Sequence, residues 1–527
     1  MPPWRRRNRA MMQDAGIHSE ASLTSGRRLI RNVIWNGAGE LGPLVAAFIA
    51  MPILIHTIGA ERFGILALAW TVFGYFGLLD MGVSSALTKL ISDRLATGRR
   101  DEVPALIGTA LAMLTAFGLI GAAAMGASVH LLVHSLFKVP PALQGEATGA
   151  FVVMALGLPI CIMNSSLAAI LAAHQRFDLI NLVRSPNTIF SSLGPLCVLP
   201  FSHSIVPIVV ALFAGNALTW IVYFAMCLRT VPKLARRMRF RRALVRELAG
   251  FGFWVASSNC VAMMMGGFDR FALAAMASMN AVSYYIVPAR ILHKLRVVPE
   301  MINGVLFPAF AHSLAEDRAR TRMLFERGAK STVLLMFPIV LIVVMFAREM
   351  MTLWIGAEFA AHSAPLVQLL AVAAMLDAIG TLAAELTSAA HRPDINLKIH
   401  AAELPFYLGF MFVMVYWRGA EGAAIAYVAR AGVDSLAHWV TARTILPVHG
   451  GLDLWLGGFL LAAFASMTIA VFPLGLGAKI LIVAAVIAGM YSAAWLLLMD
   501  DDDRRAVLAY LSTARAPIQA AITGAVD

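Results

Sequence analysis

About fourteen apolar stretches, most of them near twenty residues long, follow one another along this chain and restrict it to helices. A helix needs roughly 20 apolar residues to cross the ~30 Å hydrocarbon core of a bilayer, and inside lipid every backbone polar group must be satisfied within the protein. The stretches run at residues 33–58, 63–91, 103–133, 147–173, 181–201, 205–228 and 248–276, then 281–311, 331–346, 364–390, 399–417, 422–445, 454–472 and 478–499. The long one at 281–311 carries Pro288, Pro299 and Pro308, which predict kinks where backbone opens to a cavity. Composition agrees. The chain is 60% hydrophobic and 14% charged, with a mean hydropathy of +0.77, whereas soluble domains are about half apolar and a quarter charged. The expected fold is an all-α polytopic membrane protein with about 14 transmembrane helices.

A net charge of +12 would suit a nucleic-acid partner, but its placement points elsewhere. Arg5–Arg7, Arg27, Arg28 and Arg31, then Lys89, Arg94, Arg99 and Arg100, then Arg176 and Arg184 lie in alternate loops, as do Arg318–Lys330 and Arg504–Arg505. The densest run is RTVPKLARRMRFRRALVRE at 229–247. The opposite loops hold little beyond Arg62, Lys138, Arg348, Arg418 and Lys479. This asymmetry predicts cytoplasmic termini and no role for nucleic acid. The 229–247 run reads first as a topological stop and second as a segment resting on anionic membrane lipids. The N-terminus, MPPWRRRNRAMMQDAG, shows no apolar run before Val33 and is not expected to be a cleaved signal.

Catalytic and metal motifs are sparse. Cys161, Cys197, Cys227 and Cys260 are far apart, without a CxxC or Cys/His cluster, so neither disulfides, a metal centre nor a cofactor is expected. GAKST at 328–332 mimics the end of a Walker A loop, but Met323 stands where its first glycine belongs. Every loop is too short to fold as a domain of its own. The chain is therefore not expected to be an enzyme.

The chain also resembles itself. AAHQRFDLINL at 172–182 and AAHRPDINL at 389–397 both follow the fourth span of a six-span block. A block of six ends on the side where it began, so its copy enters in the same orientation, and such copies are related by an axis along the membrane normal. The expected organisation is a basic cytoplasmic extension at 1–30, an N-lobe of six helices at 31–228 and the basic linker at 229–247. A C-lobe of six helices follows at 248–446, with two extra helices at 447–499 and a cytoplasmic tail at 500–527.

Six pieces in order carry a family resemblance: GAERFGILALAWTVFGYFGLLDMGVSSALTKLIS (59–92), FDRFALAAM (268–276), YYIVPARILHKLRVVP with VLFPAF (284–310), WIGAEFA (354–360), AAHRPDINLKIHAAELP (389–405) and ARAGVDSL (429–436). Together they resemble the Wzx-like oligosaccharide and polysaccharide flippases, in the polysaccharide-transporter branch of the multidrug/oligosaccharidyl-lipid/polysaccharide (MOP) exporter superfamily. The resemblance implies a two-lobed helical carrier in the bacterial inner membrane. Such a carrier moves polyprenyl-diphosphate-linked glycan, a repeat unit of O-antigen or exopolysaccharide, from the cytoplasmic to the periplasmic leaflet by alternating access. It implies contact with other polysaccharide-assembly proteins. The competing readings are a cation-coupled multidrug exporter of the same superfamily, whose cavity should be acidic and aromatic, and a membrane-embedded glycan polymerase or ligase, which needs a large outer catalytic loop.

Charges at membrane depth mark the candidate site, because they are costly in hydrocarbon unless they face a partner or water. Arg290 and Lys294 stand four apart on one predicted helical face, Arg290 roughly 14 Å from the helix end. With Arg270 they form the expected substrate-binding set, cations suited to a diphosphate. Lys294 and the Asp269–Arg270 pair match the family pattern, whereas Arg290 departs from it. The plain alternative is that each is neutralised by Glu300, Asp269 or Asp377. Glu40, Asp269, Asp377 and Glu385 are the candidates for coupling to H⁺ or Na⁺, with the rival role of counter-ions. Arg430 and Asp434, at i and i+4, are expected to satisfy one another. Asp80, in LLDMG, is expected to cap a helix break.

Overall fold

The computed structural model describes residues 26–75, 80, 82–231, 234–446 and 474–498 with scattered positions between 457 and 504; within these, the side chains of 26–41, 73–75, 251–260, 262, 263, 315, 497 and 498 are not described. The predicted span at 454–472 falls largely outside the described residues, as do the terminal tails and the Glu40 side chain. What is described is helical, with no strand. In order come α1 (Gly26–Tyr75), α2 (Val83–Ala96), α3 (Val103–Leu131), α4 (Gln144–Ala173), α5 (Phe177–Val198), α6 (Ile205–Thr230) and α7 (Arg242–Met276). Then follow α8 (Met279–Leu292), α9 (Val297–Glu316), α10 (Arg318–Met345), α11 (Ala347–Trp354), α12 (Ala357–Ala389), α13 (Pro393–Ile445) and α14 (Leu476–Ala493).

Eight helical segments among the described residues are long and apolar enough to cross a membrane. One of them, α13, runs 53 residues and would be about 80 Å long if straight, far beyond one bilayer. It reverses at Gly419, where φ is 55°. Gly59, with φ 83°, breaks α1 in the same way. Only glycine enters that region without a Cβ penalty, so each long element is two helical segments joined at one residue. In α13 the approach of His400 to Asp434 shows that the second segment folds back on the first. The predicted boundaries at 58/63 and 417/422 bracket these two kinks.

One predicted span is interrupted. The stretch 63–91 reads as one span with a helix break at Asp80; α1 ends at Tyr75 and α2 starts after Gly82, which has φ 67°. There the Ser84 N–H donates to Asp80 Oδ1 at 2.9 Å, so Asp80 does cap a break. GAKST lies inside α10, as ordinary helix with no phosphate-binding loop.

The chain divides into two compact units, residues 1–287 and 288–527. In the first, α4 is the central helix and packs against α2, α3 and α6. It buries Ala147, Ala150, Phe151, Met154, Gly157 and Leu158 at helical spacing. In lipid no hydrophobic gain drives helices together, and small residues earn close van der Waals packing instead. Arg62 fixes one end of this unit: its guanidinium donates twice to Glu146, at 2.8 and 3.1 Å, and Glu146 also accepts the Ile205 N–H that opens α6. Arg94, 6% exposed, joins Glu102 and Glu247. The basic linker is tied down too, through Arg237 to Asp101 and the Arg241 N–H to Thr109.

In the second unit α12 holds the central place, against α9, α10, α11 and α13. Its buried face is rich in alanine, and Gly422, Ala423, Ala424, Ala426, Ala431 and Ala442 of α13 are likewise buried. Ser435 donates across this seam to the Leu376 carbonyl at 2.6 Å.

The sequence repeat has a structural counterpart. Each central helix, α4 and α12, ends in a residue with positive φ, Gln175 at 60° and His391 at 59°. The next residue's N–H then reaches back to close the helix, Arg176 to Leu171 O at 2.9 Å and Arg392 to Thr387 O at 3.2 Å. Each arginine bridges an aspartate two residues on, Arg176 to Asp178 and Arg392 to Asp394. Left-handed backbone costs a non-glycine residue roughly 1–2 kcal/mol, offset in part by glycine's entropy in the unfolded chain. Both side chains are exposed and make no hydrogen bond or ion pair among the described residues. Gln175→Gly and His391→Gly are therefore each expected to stabilise the protein by about 0.5–1 kcal/mol. Thermal melting in detergent checks this, and a lowered midpoint in both variants would contradict it.

Candidate functional site

In the first unit the Asp269–Arg270 pair lies two turns before the hairpin that joins α7 to α8. The turn is held by Lys138, whose ammonium donates to the Met276 carbonyl at 2.6 Å and whose N–H donates to Ala274 O at 2.8 Å, satisfying carbonyls at the end of α7. Asp269 is 4% exposed and accepts the Tyr285 hydroxyl at 2.6 Å. Its other oxygen accepts the Arg270 N–H at 2.8 Å. Asp269 is thereby committed to α8 and to its neighbour's backbone, not to the Arg270 side chain.

Arg270 is left with a neutral partner. Its Nη1 reaches Thr71 Oγ1 of α1 at 3.4 Å, and its buried Nε has no hydrogen bond among the described residues. No carboxylate pairs with this guanidinium among the described residues. A half-buried cation in that state is costly unless something anionic visits it.

The other two predicted cations belong to the second unit. Arg290 sits near the end of α8, and Lys294 sits in a one-turn 3₁₀ helix, His293–Arg296. The single α-helical face expected for them is therefore broken: between Pro288 and Pro299 the chain changes from 3.6 to 3.0 residues per turn, which rotates Lys294 away from strict i+4 register. Both side chains are half-buried.

The acids and their partners differ more from expectation. Arg430 does not pair with Asp434. It crosses from α13 to α12, where its Nη2 meets Asp377 Oδ1 at 3.1 Å, while Tyr427 donates to Asp377 Oδ2 at 3.1 Å. The guanidinium also lies over the Tyr427 ring, 4.7 Å from its centroid. Asp377, expected as an ion-coupling acid, is thus a counter-ion here, 13% exposed beside Arg430 at 10%. Asp434 instead faces His400, with Nε2 to Oδ1 at 3.2 Å, and His438 at 3.8 Å. Glu385 is half-buried on α12 and makes no hydrogen bond or ion pair among the described residues.

His400, Glu403 and His438 escape a search for local motifs, since the two histidines are 38 positions apart. Their signal is symmetry: His400 stands 19 residues before Gly419 and His438 stands 19 after it.

Solved structures identify the fold first. An inward-facing multidrug resistance transporter of the MATE family, in the MOP superfamily, superposes with a TM-score of 0.67 at 14% identity over 76% of this chain and 93% of that one. The lipid II flippase MurJ, in an inward closed conformation, gives a TM-score of 0.69 at 11% identity over 88% and 98%. The chain shares the fold of these two proteins. The polysaccharide biosynthesis protein family matches residues 29–314, more than half of the chain, and the chain belongs to that family. Among its relatives is a Shigella flexneri protein named for O-antigen transport, 25% identical over 420 residues, which are 79% of this chain and 98% of that one. Another is the lipopolysaccharide biosynthesis protein WzxC of Escherichia coli, 23% identical over 234 residues, 42% of this chain and 46% of that one. The Wzx-like resemblance is borne out, and the chain is a multi-pass membrane protein.

Proposed function

We propose that this protein is a flippase that moves a polyprenyl-diphosphate-linked oligosaccharide from the cytoplasmic to the periplasmic leaflet of a bacterial inner membrane, with both termini in the cytoplasm. The observation that carries the reading is Arg270, a guanidinium set among apolar helices whose neighbouring carboxylate is held by Tyr285. A diphosphate supplies the missing negative charge in the bidentate geometry that arginine accepts. Arg290 and Lys294 are the cations we assign to the same substrate from the second unit. A carrier of organic cations would need the opposite polarity at Arg270.

Translocation here requires no bond to be made or broken. It requires an anionic headgroup to find charge part-way through hydrocarbon, and the protein to offer it from alternating sides. We assign the coupling role, to H⁺ or Na⁺, to Glu385 and Glu40 ahead of Asp377, which Arg430 neutralises. The lobes and linker laid out from the sequence repeat, 31–228, 229–247 and 248–446, remain our proposed transport architecture, with other assembly proteins and anionic lipids as its surroundings.

Depletion of the protein is expected to leave undecaprenyl-diphosphate-linked repeat unit on the cytoplasmic leaflet, where externally added glycan-modifying enzyme cannot reach it in intact spheroplasts. The same lipid should cross the bilayer of proteoliposomes that hold the purified chain. Unchanged leaflet distribution on depletion, together with no transport after reconstitution, would refute the reading.

A further inference from the structure

The two legs of α13 meet in a cluster that the transport reading does not use. His400 and Glu403 stand at i and i+3 on the first leg, and Asp434 and His438 at i and i+4 on the second, so each leg offers one imidazole and one carboxylate on a single face. His400 Nε2 is 3.2 Å from Asp434 Oδ1, and His438 Nε2 is 3.8 Å from the same oxygen. One ligand atom from each of these three residues fits within a 4.8 Å span. The imidazole centroids are 5.3 Å apart.

We infer that this cluster is a binding site for a divalent transition metal, with Zn²⁺ the first candidate. Metal bonds of about 2.0–2.1 Å at a tetrahedral angle separate ligand atoms by about 3.3 Å, close to the spacings seen here. His438 is 2% exposed, yet its ring makes no hydrogen bond among the described residues. The 3.8 Å gap to Asp434 is too long for a hydrogen bond and suits two ligands of one ion. Both oxygens of Glu403 are buried, and its carboxylate neighbours that of Asp434, to which it can hydrogen-bond only by sharing a proton. Two carboxylates side by side in an apolar wall repel unless a cation stands between them. Arg430 acts on both carboxylates only from a distance, because its ion pair is with Asp377 at 3.1 Å.

The donor set selects the ion. Hard cations such as Na⁺, Mg²⁺ and Ca²⁺ favour oxygen ligands, whereas imidazole with carboxylate suits zinc and its first-row neighbours. Paired carboxylate and histidine from facing helices is also how helical bundles build metal centres. Position makes the site reachable. Nineteen residues of helix span about 28 Å, so the cluster lies about one hydrocarbon thickness from the Gly419 turn, near the opposite membrane face. With cytoplasmic termini this is the cytoplasmic face. A metal there would clip the two legs of α13 together at their open end, whatever molecule the protein moves.

The test uses the full chain purified in detergent on a tag without histidine, stripped with chelator and titrated with Co²⁺ and then Zn²⁺. One Co²⁺ per chain, with the visible absorption of a four-coordinate site and displacement by Zn²⁺, is expected. Zn²⁺ should also raise the melting midpoint. His400→Gln, at a half-exposed position, and Asp434→Asn should each weaken Zn²⁺ binding on the order of 100-fold. Absence of stoichiometric metal binding by the wild-type chain overturns the inference, as does binding that neither substitution alters. Melting that responds to pH but not to Zn²⁺ would show that Asp434 and Glu403 share a proton instead, and overturns it equally.

Discussion

Arg270→Met is expected to abolish glycan-lipid translocation while leaving the fold intact or slightly more stable. The two halves of that expectation have one origin. The guanidinium is half-buried, meets only Thr71 at 3.4 Å, and leaves Nε without a bond among the described residues. Holding a cation there costs stability, so an apolar side chain of similar length should relieve it. A charge kept at a cost is kept for function, and a diphosphate held by two charge-assisted hydrogen bonds would lose about 1.5–3 kcal/mol per bond. Transport by Arg270→Met should therefore fall by about 100-fold or more. Arg270→Lys keeps the charge but not the fork and should fall about tenfold. Initial rates in proteoliposomes, normalised to inserted protein, measure the first effect, and melting in detergent measures the second. A destabilised Arg270→Met protein that still transports at the wild-type rate would make Arg270 a structural residue.

Much of the architecture could be read in advance because the bilayer imposes one length and one kind of backbone. All predicted spans but 454–472 fall on described helices, and even the one-residue breaks at Gly59 and Gly419 sit between predicted spans. The AAH repeats, read only as the mark of a six-span duplication, fall on matching turns with paired positive φ values at Gln175 and His391. What escaped was tertiary. An i, i+4 rule sees only one helix, so it joined Arg430 to Asp434, whereas packing of α12 on α13 presents Asp377 from 53 positions away. The break inside the 63–91 stretch does not show in its continuous hydropathy and was legible only through Asp80. His400 and His438 became neighbours only once α13 folded back on itself.

Asp377→Ala is expected to destabilise the second unit severely, by about 3–5 kcal/mol, because it strands a buried guanidinium. Arg430 is 10% exposed, and its bond to Asp377 is its only ion pair among the described residues. Stacking on Tyr427 at 4.7 Å adds to that bond but cannot replace a full counter-charge. The reverse change, Arg430→Met, should cost less, since Asp377 keeps the Tyr427 hydroxyl and can take up a proton. Asp377→Leu combined with Arg430→Met removes both charges and should recover most of the loss, as a buried pair is worth little beyond its own mutual compensation. Melting midpoints of the singles and the double give the coupling energy directly. The same double variant decides the role of Asp377 in transport. Gradient-driven flipping that survives it leaves Asp377 as a counter-ion and directs the coupling ion to Glu385. A double variant as unstable as Asp377→Ala would mean that the pair organises the seam between α12 and α13 through its geometry, not through its charge balance.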